Sequence, residues 1–165
     1  MKLKIYQQEA LNTLTLFCKN YKESSGKVEE AFNNTLKNSE QFSEPYEPYL
    51  KVKESTAPYI CIRIPTGGGK TLIAAKSLKP VIEELYENDK TFLVIWLAPK
   101  DIIVNQTIKA LKNPKHPYRK AIDEDFPSTS INVMKLKDAL TNTFNKKTDI
   151  TILVGSMQSF NVGND

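Results

Sequence analysis

Two cysteines, one histidine and one tryptophan in 165 residues leave several kinds of chemistry with little to work on. Cys18 and Cys61 show none of the close spacing of a zinc or iron site. Both read as small buried hydrophobes in a reducing compartment, Cys18 on the apolar side of a first helix and Cys61 inside a strand. No apolar run is long enough to span a bilayer. The N-terminus, Met1-Lys2-Leu3-Lys4-Ile5-Tyr6-Gln7-Gln8-Glu9, lacks the apolar core of a secretory leader. A cytoplasmic protein with no membrane partner is the expectation. Repeats and low-complexity tracts are absent as well. Nor is charge of one sign in excess: 23 Lys and Arg face 19 Asp and Glu, a net of +4. That balance is compatible with nucleic acid but too mild to demonstrate it. With 40% apolar and 25% charged residues, the chain suits one ordinary domain with a sizeable core.

Glycine is scarce too, yet three of the six glycines are consecutive. They sit in Tyr59-Ile60-Cys61-Ile62-Arg63-Ile64-Pro65-Thr66-Gly67-Gly68-Gly69-Lys70-Thr71, which reads as an apolar strand, a glycine turn and a helix opened by Lys-Thr. Residues without a Cβ accept positive φ, so the backbone can curl with its N–H groups inward, as a phosphate-binding loop requires. The helix start adds further N–H groups and partial positive charge. Lys70 can reach the β/γ-phosphates, and the Thr71 hydroxyl can ligate magnesium. The general pattern G-x-x-x-x-G-K-[ST] has glycine at its first position, where this chain has Ile64.

Upstream, Tyr6, Ala10, Leu14, Phe17 and Tyr21 recur at helical spacing and predict an amphipathic helix over residues 6–21. Gln7 stands at its start: an ordinary surface residue, or a carboxamide whose donor and acceptor suit an adenine edge. Residues 22–58 are polar, with a short helical candidate at Val28–Leu36 and then Pro45, Pro48 and Pro58. They read as a peripheral insertion, most flexible around Asn38–Glu44. After Thr71 a helical pattern is interrupted by Pro80, which calls for a kink or for two helices with Pro80 in the first turn of the second. Phe92–Ala98 has the composition of a strand buried on both faces. Asp101 is placed to cap a following helix whose inner face is Ile103 or Val104, Ile108 and Leu111.

Lys115–Lys120, with the single histidine His116, reads as a solvated basic connector. Asp123-Glu124-Asp125 lacks a preceding apolar strand and reads as a solvated turn, not a metal-binding acidic pair. Ile131–Leu136 alternates like a short strand, Asp138–Phe144 fits a brief helix, and Ile150–Gly155 is a second buried strand. Strands alternating with helices define an α/β domain with a mainly parallel sheet flanked by helices. Ligands of such folds bind beyond the carboxyl ends of strands. There the glycine loop, Pro99-Lys100 and Gly155-Ser156 are expected to crowd one edge.

In that order the motifs resemble those of the first RecA-like P-loop NTPase domain of superfamily 2 helicases. The resemblance is greatest to the restriction (Res) subunit of type III restriction-modification enzymes. Tyr6-Gln7-Gln8-Glu9-Ala10-Leu11 resembles the glutamine motif that recognises adenine. Pro65-Thr66-Gly67-Gly68-Gly69-Lys70-Thr71 is similar to motif I, which this group often writes P-T-G-x-G-K-T, so Ile64 departs from the general string and not from the group. Leu97-Ala98-Pro99-Lys100, with Gln106 on the next helix, resembles motif Ia, and Leu153–Phe160 resembles motif Ib or Ic; both touch the nucleic-acid backbone in the family. Residues 22–58 and 113–149 stay unmatched.

The resemblance implies ATP and Mg2+ as cofactors, with Lys70 and Thr71 catalytic and Thr71 on the metal. Gln7, Thr66, Gly67, Gly68 and Gly69 would join them around the nucleotide, and Pro99, Lys100, Ser156 and Gln158 would contact DNA. It implies double-stranded DNA and a methylation (Mod) subunit as partners, and ATP-driven translocation coupled to endonuclease cleavage. The family's acidic motif is expected shortly beyond Phe160. Residues 1–165 are therefore expected to be the N-terminal motor domain of a longer polypeptide, weak in nucleotide binding and inactive in hydrolysis alone. Two alternatives stand beside this: another superfamily 2 DNA or RNA helicase, and a nucleotide-binding module without motor activity.

Overall fold

Helix α1 (Ile5–Glu23) extends the expected helix by a residue or two at each end, and its buried stripe of Leu11, Leu14, Phe17 and Cys18 follows the 3.6-residue period. The structure, a computed structural model, describes residues 2–38, 57–86, 91–139 and 149–160. It divides into two units, residues 1–87 and 88–165.

In the first unit α1 packs against α2 (Val28–Lys37) and α4 (Leu78–Leu85). Leu14, Phe17, Cys18 and Ala31 form the core, closed by Phe32 of α2 and by Val81 and Leu85 of α4. Burying a side chain the size of Phe17 contributes roughly 1.5–3 kcal/mol. The α1–α2 turn needs Gly26, whose φ is +81° and whose N–H donates to the Tyr21 carbonyl at 2.9 Å. Between the helices Asn20 Nδ2 donates to Thr35 Oγ1 (3.0 Å), which itself donates to the Ala31 carbonyl (2.7 Å). Burial, reinforced by the charge of Glu84, raises the Cys18 thiol to about 11, so it remains neutral. Helix α3 (Lys70–Lys76) is separated from α4 by Ser77, with Pro80 in the first turn of α4, where a missing N–H costs nothing.

Residues 59–64 take no strand conformation, contrary to the sequence reading. A strand is defined by a hydrogen-bonded neighbour, and the described part of this unit offers only helices. Cys61 is exposed as a result, and not the buried hydrophobe expected. Residues 39–56, with Pro45, Pro48 and most of the segment expected to be flexible, lie outside the described residues.

The second unit holds a three-stranded parallel sheet in the order β1-β3-β2, from β1 (Phe92–Ala98), β2 (Ile131–Lys135) and β3 (Ile150–Ser156). Phe92 and Ile131 both align with Ile150, and Ala98 with Ser156. Central β3 is buried throughout. Helix α5 (Asp101–Lys112) covers one face through Val104, Thr107 and Leu111. On the other face α7 (Leu136–Ala139) lays Leu136 over Leu153. Glycine is required at 155 because a Cβ there would meet Leu136 Cβ at 2.9 Å.

β1 departs from the expectation of burial on both sides: Leu93 is 59% exposed and Ile95 50%, since among the described residues β1 is an edge strand and no element of its own unit covers that side. Lys100, not Asp101, is the N-cap of α5; Asp101 occupies the first turn, where its charge favours the helix N-terminus. Residues 117–125, read as connector and turn, form helix α6 (Pro117–Asp125). Its start is built from Pro117 and from His116, whose Nδ1 accepts the Tyr118 N–H at 3.2 Å. Of the helix expected over residues 138–144, the part from 140 onward lies outside the described residues. A 3-10 turn (Met157–Phe160) follows β3.

Candidate functional site

The glycine turn closes on one carbonyl. Pro65 O accepts the Gly68 N–H at 2.9 Å and the Lys70 ammonium at 3.0 Å. The curl needs left-handed backbone at Gly67 (φ +75°) and Gly69 (φ +84°), conformations that L side chains resist. Gly68 is constrained differently: a Cβ would lie 2.8 Å from Pro65 O and 2.6 Å from Ile64 Cγ2. At Gly67, by contrast, a Cβ would meet nothing within 4 Å, so the loop is tight on one side and open on the other.

Helix α3 begins directly after the loop, its first bond running from the Ile73 N–H to the Gly69 carbonyl (3.0 Å). The amides of Gly69, Lys70 and Thr71 donate to no acceptor among the described residues. Unpaired amides beside an exposed lysine are what a phosphate group can satisfy. Lys70 has three donor hydrogens and directs one at Pro65. Thr66 is exposed and Thr71 half-buried. Among the described residues no group of His, Cys, Asp or Glu could hold a metal.

The N-terminus of α1 holds the loop from outside. Gln7, 6% exposed, donates from Nε2 to the Gly68 carbonyl at 2.8 Å and accepts the Lys4 N–H on Oε1 at 2.9 Å. The second bond caps α1, because Gln7 is the third residue of that helix. Two of the four bonds a carboxamide can make are used, leaving one donor and one acceptor. Tyr6 donates its hydroxyl to the same Gly68 carbonyl at 2.9 Å. Sequence reasoning passed over Tyr6, which reads as one apolar position of a helical stripe.

In the second unit β1 and β3 run parallel with Ala98 beside Ser156, so Pro99-Lys100 and Met157-Gln158 leave the sheet side by side. Pro99, Lys100 and Gln158 are exposed, whereas Ser156 is buried at 3%. Of the acidic triplet, Asp123 is held by Arg119 Nε at 2.7 Å.

A parallel sheet flanked by helices, together with a glycine turn running into Lys-Thr, defines the chain as an α/β P-loop domain of the RecA-like, helicase-related class. The sequence profile of the type III restriction enzyme res subunit matches residues 1–164, and the chain belongs to that family as a helicase-like ATP-binding domain. Comparison with the curated proteins and with the solved structures gives no match. Among the described residues no helix is long and apolar enough to cross a membrane.

Proposed function

We propose that residues 1–165 are the N-terminal ATP-binding motor domain of a restriction subunit; of residues 22–58, expected to be a peripheral insertion, α2 instead supplies Ala31 to the core of the first unit. In the complete enzyme ATP turnover would drive movement along double-stranded DNA and couple it to endonuclease cleavage. The single observation carrying this reading is the glycine turn, already curled, with unpaired amides at residues 69–71 and Lys70 beside them. Phosphates would draw Lys70 from the Pro65 carbonyl and take the amide hydrogen bonds, with Thr66 at the open side. Thr71 would hold magnesium, which supplies charge neutralisation on the phosphates when bound. The free donor and acceptor of Gln7 match the adenine edge.

Lys100, Pro99 and Gln158 would meet the DNA backbone, contacts that position without reading sequence. Ser156, being buried, would support the turn that presents Gln158. Sequence recognition would then fall to a methylation subunit. Titration of the full chain with ATP and Mg2+ tests the nucleotide site: Lys70→Ala is expected to weaken binding at least tenfold, in the range of charge-assisted hydrogen bonds. ATP affinity indifferent to both Lys70→Ala and added DNA would instead support a binding module without motor activity.

A further inference from the structure

Nothing in the motif pattern assigns Tyr6 a task, yet its hydroxyl reaches a carbonyl 62 residues away, at the centre of the loop. We propose that Tyr6 is a positioning residue for the triphosphate: with Gln7 it latches the Gly68 carbonyl to α1 and so aims the Gly69 N–H at the phosphates. This rests on the nucleotide-binding reading of the loop.

Three observations carry it. First, both lone pairs of the Gly68 carbonyl are taken from one side, by Tyr6 Oη at 2.9 Å and Gln7 Nε2 at 2.8 Å. In a trans peptide the N–H of the next residue points opposite to the carbonyl. Fixing Gly68 O toward α1 therefore directs the Gly69 N–H away from α1, and that amide has no acceptor among the described residues. Second, the helical partner the Gly68 carbonyl would otherwise have, the Leu72 N–H one turn on, does not bond to it. The side chains hold this peptide in place of the helix. Third, the fit leaves no slack: a Cβ on Gly69 would lie 2.6 Å from Gln7 Nε2.

Tyr6 is suited to the task because its ring lines an apolar cavity of about 550 Å3 together with Leu14, Phe17 and Phe32. The ring is half-buried on this apolar side and only the hydroxyl is polar. Gln7 alone would leave the carbonyl one bond and free to pivot; a second donor fixes the peptide plane.

The test is Tyr6→Phe in the full chain, which keeps the ring and removes one hydrogen bond. ATP, GTP and inorganic tripolyphosphate are each titrated against wild type, Tyr6→Phe and Lys70→Ala. The latch predicts that Tyr6→Phe weakens all three ligands together, about threefold to tenfold, the range of one hydrogen bond. A loss confined to ATP would assign Tyr6 to the base and overturn the latch, as would wild-type affinity for all three. If Lys70→Ala binds like wild type, the loop is not the phosphate site and the nucleotide reading fails on its own account. A second measurement needs no ligand. The Gly68 amide, bonded to Pro65 O, should exchange its hydrogen threefold to tenfold faster in Tyr6→Phe, while α2 amides keep their rates. Unchanged Gly68 exchange overturns the latch whatever the nucleotide data say.

Discussion

Gly67, Gly68 and Gly69 are adjacent and chemically identical, yet each is glycine for a separate reason. Gly67 is needed for its positive φ alone, Gly68 for space alone, and Gly69 for both. Their substitutions should therefore differ. Gly67→Ala brings only backbone strain, roughly 1 kcal/mol, since nothing lies near its Cβ. Gly68→Ala must push the Pro65 carbonyl aside, and that carbonyl is what closes the turn and holds Lys70. Nucleotide titration of the two variants is expected to show a few-fold loss for Gly67→Ala and a loss near that of Lys70→Ala for Gly68→Ala. Equal losses would mean that strain, not space, governs the loop. These glycines were legible in the sequence because so few chemistries demand three in a row before Lys-Thr. The role of Tyr6 was not, because its partner is distant in the chain and its spacing is already explained by packing.

Among elements, β2 and β3 are tied at their starts by a residue from each approach. Asp149 accepts from the Ser130 N–H (2.8 Å) and hydroxyl (3.0 Å), and its own N–H donates to Ser130 Oγ at 2.9 Å. The Ser130 backbone bond, then its hydroxyl, hold the Asp149 carboxyl below its ordinary 3.8. A carboxyl depressed by folding adds stability above its unfolded value, and that stability is lost as pH falls through the folded value. Asp149→Asn should accordingly melt below wild type at neutral pH, with the gap shrinking as pH drops under 3.8; melting curves across pH measure it. Element-level reading succeeded where periodicity was strong, as in α1, and where a proline has one tolerable place, as at Pro80. It missed α6 because Pro117–Asp125 buries only Ala121 and Ile122, too few to print a stripe. It took β1 as doubly buried because composition records apolarity and not position at a sheet edge. Residues 59–64 carry strand composition, but composition supplies no neighbour to pair with.

For the molecule as a whole, net charge of +4 singles out no surface, whereas the parallel register brings Lys100 and Gln158 out at one end of adjacent strands, the place proposed above for DNA contact. Removing the Lys100 charge is expected to weaken DNA binding for every sequence alike and to lower the salt-dependence slope by about one. Binding isotherms at several salt concentrations on two unrelated duplexes measure both. The strand order has a temporal consequence too. β3 sits between β1 and β2 but is the last of the three to be synthesised, and neither neighbour pairs with the other. Among the described strands, β1 and β2 therefore leave the ribosome before the strand that pairs with both, and wait for it until residues 150–156 emerge. The sheet then closes in one late step, like a zip whose slider is threaded last.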